Sequence, residues 1–170
     1  MKIYGVTGWK NCGKTGLMER LVAELTSRGY RVSTVKHAHH SFDADQPGRD
    51  SYRHREAGAE EVLLISGNRW ALMHELRGAE EPPLADMLTK LSNVDLVLVE
   101  GYKREPHPKI EAHRAEAGQP LIAPGDQTIR ALASDQPAAA HGDLGRPVFD
   151  LNDHGAIATF ILQDLGLMPK

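Results

Sequence analysis

Cysteine is almost missing from this chain: its 170 residues hold one, Cys12. An internal disulfide is therefore excluded, and a reducing compartment suits the sequence. No apolar stretch approaches the ~20 residues that a bilayer crossing needs, so no membrane span is expected. Positive charge is not in excess. The formal net charge is −3, which argues against general nucleic-acid binding. Long repeats and low-complexity segments are absent. The chain opens on a strand pattern rather than a charged and apolar leader, so no signal peptide is expected and a cytoplasmic location is. Apolar content is ordinary for a globular protein at 41%,. The length suits one domain over residues 1–170, able to bury roughly two thirds of its unfolded surface.

What is present begins with Gly8-Trp9-Lys10-Asn11-Cys12-Gly13-Lys14-Thr15. This run satisfies G-x-x-x-x-G-K-[ST]. It ends a short apolar run, Lys2 to Thr7, and precedes a helix-forming run, Leu17 to Leu25. Strand, glycine loop and helix form the setting of a phosphate-binding P-loop, whose ligand is a nucleoside triphosphate. Gly8 and Gly13 let successive N–H groups point inward. The helix start adds unpaired N–H groups and partial positive charge. Lys14 can reach the β- and γ-phosphates, and the Thr15 hydroxyl can hold Mg²⁺. Asn11, Cys12 and Gly16 complete the expected cradle. The Cys12 thiol sits among the same N–H groups, but its plainer reading is a filler of a variable position.

Val94 to Gly101 is the second strong signal. It is a nearly continuous apolar run ending in an acid and a glycine, which suits a central parallel strand buried on both faces. Glu100 and Gly101 then stand at a carboxyl end, where open α/β sheets bind ligands. This is the Walker B place, and Glu100 can serve Mg²⁺ or orient the attacking water. Asp95 reads as a strand-entry residue. Further strands are expected at 31–36, 61–66, 109–114, 129–134 and 148–151. Arg69 to Leu76 is expected to pair back antiparallel after the Gly67-Asn68 turn. Helices are expected over 50–57, 83–91 and 154–165. The alternation predicts a three-layer α/β/α P-loop fold with a mostly parallel sheet and an antiparallel hairpin extension.

The loop from Lys36 to Ser51 is dense in His and Asp. His37, His39 and His40 invite a metal reading, though the spacing fits no standard zinc pattern. The loop follows the second strand, which places it at the P-loop end of the sheet. Asp43, Asp45 and Asp50 are therefore candidates to approach Mg²⁺ or the attacking water, Asp45 foremost. Lys36, His37 and Arg49 are candidates to meet phosphate. The plain alternative is a solvated polar loop.

Together these pieces resemble a known family, the adapter proteins of molybdopterin-guanine dinucleotide biosynthesis. The resemblance rests on the P-loop, on Thr34-Val35-Lys36-His37-Ala38-His39-His40 with Phe42-Asp43-x-Asp45, and on Pro47-Gly48-Arg49-Asp50-Ser51. It continues through Arg53-x-Arg55-x-Ala57-Gly58-Ala59, Val99-Glu100-Gly101-Tyr102-Lys103 and Pro108-Lys109-Ile110-Glu111. It implies a GTP-binding protein using Mg²⁺, with weak hydrolysis, that assists the guanylyltransferase joining GMP to molybdopterin or its molybdenum form. It also implies a homodimer with an extended sheet. The 69–76 hairpin, with Trp70, Leu72 and Leu76, is the candidate contact. Two positions depart from the family pattern: Gly16 stands where a second hydroxyl residue is common, and Cys12 replaces a small hydroxyl residue.

Guanine preference is not written plainly, since no Asn-Lys-x-Asp occurs. Asp135, after a late strand, is the candidate to accept from guanine N1–H and N2–H₂; its alternative is a turn cap. Rival readings remain: a small-molecule kinase with a basic lid drawn from Lys103, Arg104, Lys109 and Arg114, a metal-delivery GTPase, and a non-catalytic adapter.

Overall fold

Six parallel strands frame the chain, and their order puts the glycine loop near the middle of one sheet end. In the computed structural model, which describes residues 1–38 and 43–167, the elements run β1 (Lys2–Thr7), α1 (Lys14–Ser27), β2 (Val32–Lys36), α2 (Asp50–Glu56), β3 (Glu61–Ile65), β4 (Trp70–His74), α3 (Leu84–Leu88), β5 (Leu96–Glu100), β6 (Lys109–His113), β7 (Ile129–Ser134), β8 (Val148–Asp150) and α4 (His154–Asp164). The main sheet has the order β2-β5-β1-β6-β7-β8, and β3-β4 form a separate antiparallel pair. The expected parallel fold with a hairpin is observed, each strand within a residue or two of its sequence pattern. The chain divides into two compact units, residues 1–37 with 93–170 and residues 38–92.

In the first unit, one face of the sheet is purely aliphatic and aromatic. Tyr4, Val6, Leu96, Leu98, Ile110, Ala112, Ala131 and Ala133 pack with Leu17, Leu21 and Leu25 of α1 and Ile157, Ala158 and Ile161 of α4. Alternate strand residues point the same way, which is why these recur at every second position. A fully buried leucine contributes roughly 2 kcal/mol here. Arg28 joins the two helices at their ends. Its Nη2 donates to Gly155 O at 3.0 Å and Nη1 to Thr159 Oγ1 at 2.9 Å. The Asp153 carboxylate caps α4 by accepting from Ala156 N at 3.0 Å,.

The opposite face around β6 is different. Lys109 and Glu111 are completely buried on it. The Lys109 ammonium donates to Glu105 O, to His107 O at 3.1 Å and to Thr128 Oγ1 at 2.6 Å. The Glu111 carboxylate accepts from Ile122 N and Ala123 N, the latter at 2.8 Å. Loops 102–108 and 120–128 are thus fastened over β6 by buried charges. His107 lies across Gly5, where an added Cβ would sit 2.7 Å from its Nε2 and 2.7 Å from Lys109 Cγ. Any other residue at position 5 would displace that loop.

The second unit holds an ion cluster and the hairpin. Arg55 of α2 pairs with Glu75 at 2.7 Å, Asp43 at 2.9 Å and Asp45 at 3.5 Å. The β3-β4 register sets Leu63 opposite Leu72 and Ile65 opposite Trp70. These four side chains share one face of the hairpin, and all are exposed, Ile65 by 75% and Trp70 by 64%.

Candidate functional site

The sheet order explains why the two sequence signals meet. β1 and β5 are neighbours in parallel register, with Val6 opposite Glu100. The loop leaving β1 and the acid ending β5 therefore occupy the same edge. The Thr15 hydroxyl, in the first turn of α1, donates to Glu100 Oε1 at 3.3 Å. Lys36, ending β2 on the other side of β5, brings its ammonium to 3.5 Å from the same oxygen. Glu100 is buried, while Lys36 and Thr15 reach it from the exposed side of the site. Gly101 N donates to Val6 O at 3.2 Å, and His37 N to Glu100 O at 3.0 Å. The His37 ring lies against Tyr102 at 4.7 Å between centroids.

The loop has the backbone its residues predict. Gly8, Asn11 and Gly13 have φ of 135°, 65° and 88°. Asn tolerates the left-handed region better than other side chains. At Gly8 nothing else fits: an added Cβ would lie 2.4 Å from Ala112 O of β6. At Gly13 a Cβ would come within 3.0 Å of Arg114 Nε and of Leu151 Cδ2. Arg114 therefore crosses the loop at the start of α1, and its Nε is buried with no hydrogen bond among the described residues. Lys14 folds back, its ammonium donating to Trp9 O at 2.6 Å. Cys12 is buried. Gly16 faces Arg20, whose Nη1 would be 3.3 Å from an added Cβ.

Hard oxygen donors suit Mg²⁺. The Thr15 hydroxyl and the Glu100 carboxylate, already within hydrogen-bond reach of each other, form such a donor pair. The residues present thus fit that ion.

Gly8, Asn11, Cys12, Gly13, Lys14, Thr15, Gly16, His37, Glu100 and Gly101 all belong to the first unit and gather at this sheet end. Asp135 also belongs to that unit, at the end of β7. Its Oδ1 accepts from Ala115 N at 3.0 Å, which commits one carboxylate oxygen to holding a turn. Asp45 and Arg49 belong to the second unit. Asp45 accepts from Ser51 Oγ and from Gln46 N, each at 2.9 Å, besides its approach to Arg55. Arg49 immediately precedes α2 with its side chain exposed. Among the described residues no three His, Cys, Asp or Glu side chains gather as a metal site; His39, His40 and Phe42 lie outside them.

The basic-lid candidates separate sharply. Lys109 is buried on the far face of the sheet and serves the backbone, so it is no lid residue. Arg104 is exposed. Lys103 lies over the Trp9 ring, 3.8 Å from its centroid. Burial, then the nearby Lys14 charge, push the Lys103 pKa down. Trp9 went unnoticed in the sequence because it fills a variable position of the motif.

The family model described as Molybdopterin guanine dinucleotide synthesis protein B matches residues 3–135. The chain belongs to this family. It is 41% identical over 162 residues to the molybdopterin-guanine dinucleotide biosynthesis adapter protein of Haemophilus influenzae, covering 94% of this chain and 86% of that one. It is 39% identical over 164 residues to the adapter protein of the same name from Escherichia coli, covering 95% and 91%. The crystal structure of a MobB protein homolog from Bacillus stearothermophilus superposes with a TM-score of 0.69 at 29% identity, over 98% of this chain and 99% of that one. The resemblance read from the motifs is thereby borne out, and the MobB fold with it.

Proposed function

We propose that this MobB-family chain is a cytoplasmic GTP-binding adapter that works with Mg²⁺ and assists the guanylyltransferase attaching GMP to molybdopterin or its molybdenum form. One observation carries the reading most: the P-loop threonine and the β5 acid converge at 3.3 Å beside a loop whose three positive-φ residues set its backbone. Main-chain amides of residues 8–16 hold the phosphates, and Lys14 leaves Trp9 O to take phosphate oxygens. Thr15 and Glu100 hold the ion, which when bound neutralises charge on the phosphates. Hydrolysis is weak: the sequence names no arginine finger, and a partner supplies the missing group. Asp135 retains one carboxylate oxygen for guanine.

Two further assignments belong to this reading. The exposed hairpin face of Leu63, Ile65, Trp70 and Leu72 is the contact of a homodimer, since soluble monomers rarely leave such a patch uncovered. Asp45, for Mg²⁺ or the attacking water, and Arg49, for phosphate, are carried in this reading from the sequence alone. Calorimetry with GTP, ATP and Mg²⁺ tests the core claim: GTP binds, and Lys14→Ala abolishes binding. Unchanged affinity in that variant overturns the site. Product analysis separates the rivals, since free phosphate indicates a hydrolase and a phosphorylated acceptor a kinase. A pull-down against the guanylyltransferase tests the adapter role, and Asp135→Asn with unaltered GTP-over-ATP preference removes Asp135 from base recognition.

A further inference from the structure

We propose that Lys103 is a second ammonium for the triphosphate, stored on the face of Trp9 and transferred to the phosphates when nucleotide enters. The inference rests on the nucleotide-binding reading above. Trp9 directly follows Gly8 in the loop, and it is pinned from behind: its Nε1 donates to Pro120 O at 2.7 Å. Lys103 Nζ lies 3.8 Å from the centroid of that ring, and the Lys14 ammonium donates to Trp9 O. Two cations therefore converge on one residue of the phosphate loop, one on its ring and one on its carbonyl.

Neither cation is neutralised there. Among the described residues Lys103 makes no hydrogen bond or ion pair besides the ring contact. The Cys12 thiol and then Glu111 attract it at longer range, but neither is paired with it, and the carboxylate accepts from Ile122 N and Ala123 N. The repulsion between Lys14 and Lys103 is part of what depresses the Lys103 pKa. Such an arrangement is ready for a polyanion. A cation–π contact to a partly exposed ring is weaker than a charge-assisted hydrogen bond to phosphate. Phosphate oxygens entering beside Lys14 would draw Lys103 off the indole and remove the repulsion together. The gain grows with the charge of the ligand, so Lys103 favours triphosphate over diphosphate.

The chain has two tryptophans, so Trp70→Phe leaves Trp9 as the sole reporter. In that background Trp9 emission is followed while GTP and GDP are titrated with Mg²⁺, and calorimetry gives the affinities. The expected result is an emission change that tracks GTP binding. Lys103→Met should abolish that change and weaken GTP by about tenfold, the size of one charge-assisted contact. GDP should weaken by less, and Lys103→Arg should restore most of the GTP affinity. GTP affinity within twofold of the parent in Lys103→Met overturns the proposal and leaves the nucleotide site standing. Equal losses for GTP and GDP with a lowered melting temperature also overturn it, since they assign Lys103 to holding the loop. If the parent protein binds neither GTP nor ATP, the underlying reading falls and this one with it.

Discussion

The two faces of the main sheet do different work. The face toward α1 and α4 is apolar throughout, from Tyr4 to Ile161. The face around β6 buries an ammonium, a carboxylate and an imidazole within a few residues. The first arrangement supplies burial without directional demands. The second supplies directions: each buried charge ends on named backbone groups of loops 102–108 and 120–128. The former carries Lys103, and the latter contains Pro120, which anchors Trp9. So the apolar face sets how stable the unit is, and the charged face sets where the loops beside the phosphate site stand.

The largest expected effect tests the apolar face. Leu21→Ala should destabilise by about 2–5 kcal/mol, through lost transfer energy and the cavity left behind. Denaturant titration measures it. Among molecules still folded, GTP affinity should hardly change; a large affinity loss would show that the two faces are not separable.

Lys109→Met is the matching test of the charged face. The replacement keeps most of the stem but strips donors from Glu105 O, His107 O and Thr128 Oγ1. The expected cost is about 1–3 kcal/mol. Unlike Leu21→Ala, it should raise amide exchange in residues 102–108 before the rest of the sheet responds, and it should weaken GTP through Lys103. Uniform exchange across the unit would break the contrast.

A third test uses pH. Burial, then the Lys109 charge, lower the His107 pKa to about 4. The unfolded histidine titrates near 6.5. Between those values the unfolded chain binds a proton that the folded chain does not. Stability from this group is therefore intact above about pH 6.5 and falls as the pH drops towards 4. Partial exposure limits the loss to about 1–2 kcal/mol. The raised pKa of buried Glu111 acts in the opposite sense over acidic pH, so the quantity to measure is the difference between the parent and His107→Leu. Equal acid sensitivity in the two proteins would show that His107 is solvated.

Much of this was legible in the sequence, and the part that was not has one cause. The P-loop, the β5 run and the hairpin are local signals: glycine spacing, a continuous apolar stretch and a two-residue turn between alternating segments. Lys109-Ile110-Glu111-Ala112-His113 also alternates, and correctly reads as a strand. Such alternation ordinarily accompanies a sheet with one solvated face, yet all five residues are buried. The partners that make this tolerable, Thr128 Oγ1 and the amides of Ile122 and Ala123, stand 11 to 19 positions away in loops with no periodicity. Trp9 and Lys103 are likewise joined only by the β1-β5 and β1-β6 pairings. The Asp135 contact to Ala115 N needed the β6-β7 register. Pattern finds elements; it does not find which loop is folded over which charge.

The smallest expected effect lies where the two faces share one element. α1 gives Leu17, Leu21 and Leu25 to the apolar side, and its first turn holds Lys14 and Thr15 at the site. Gly16 sits between these duties. Replacing it with Ala should stabilise the protein by about 0.5–1 kcal/mol, because glycine is the costlier residue in a helix. The added Cβ meets only the flexible tip of Arg20 at 3.3 Å, and that tip can move. A thermal melt should therefore rise slightly while GTP affinity stays put. A melt that falls would mean that Arg20, whose Nη2 reaches Leu151 O at 3.3 Å, cannot yield. A melt that rises with a loss of GTP affinity would mean that the first turn must stay loose to admit phosphate, so that stability and binding compete within α1 itself.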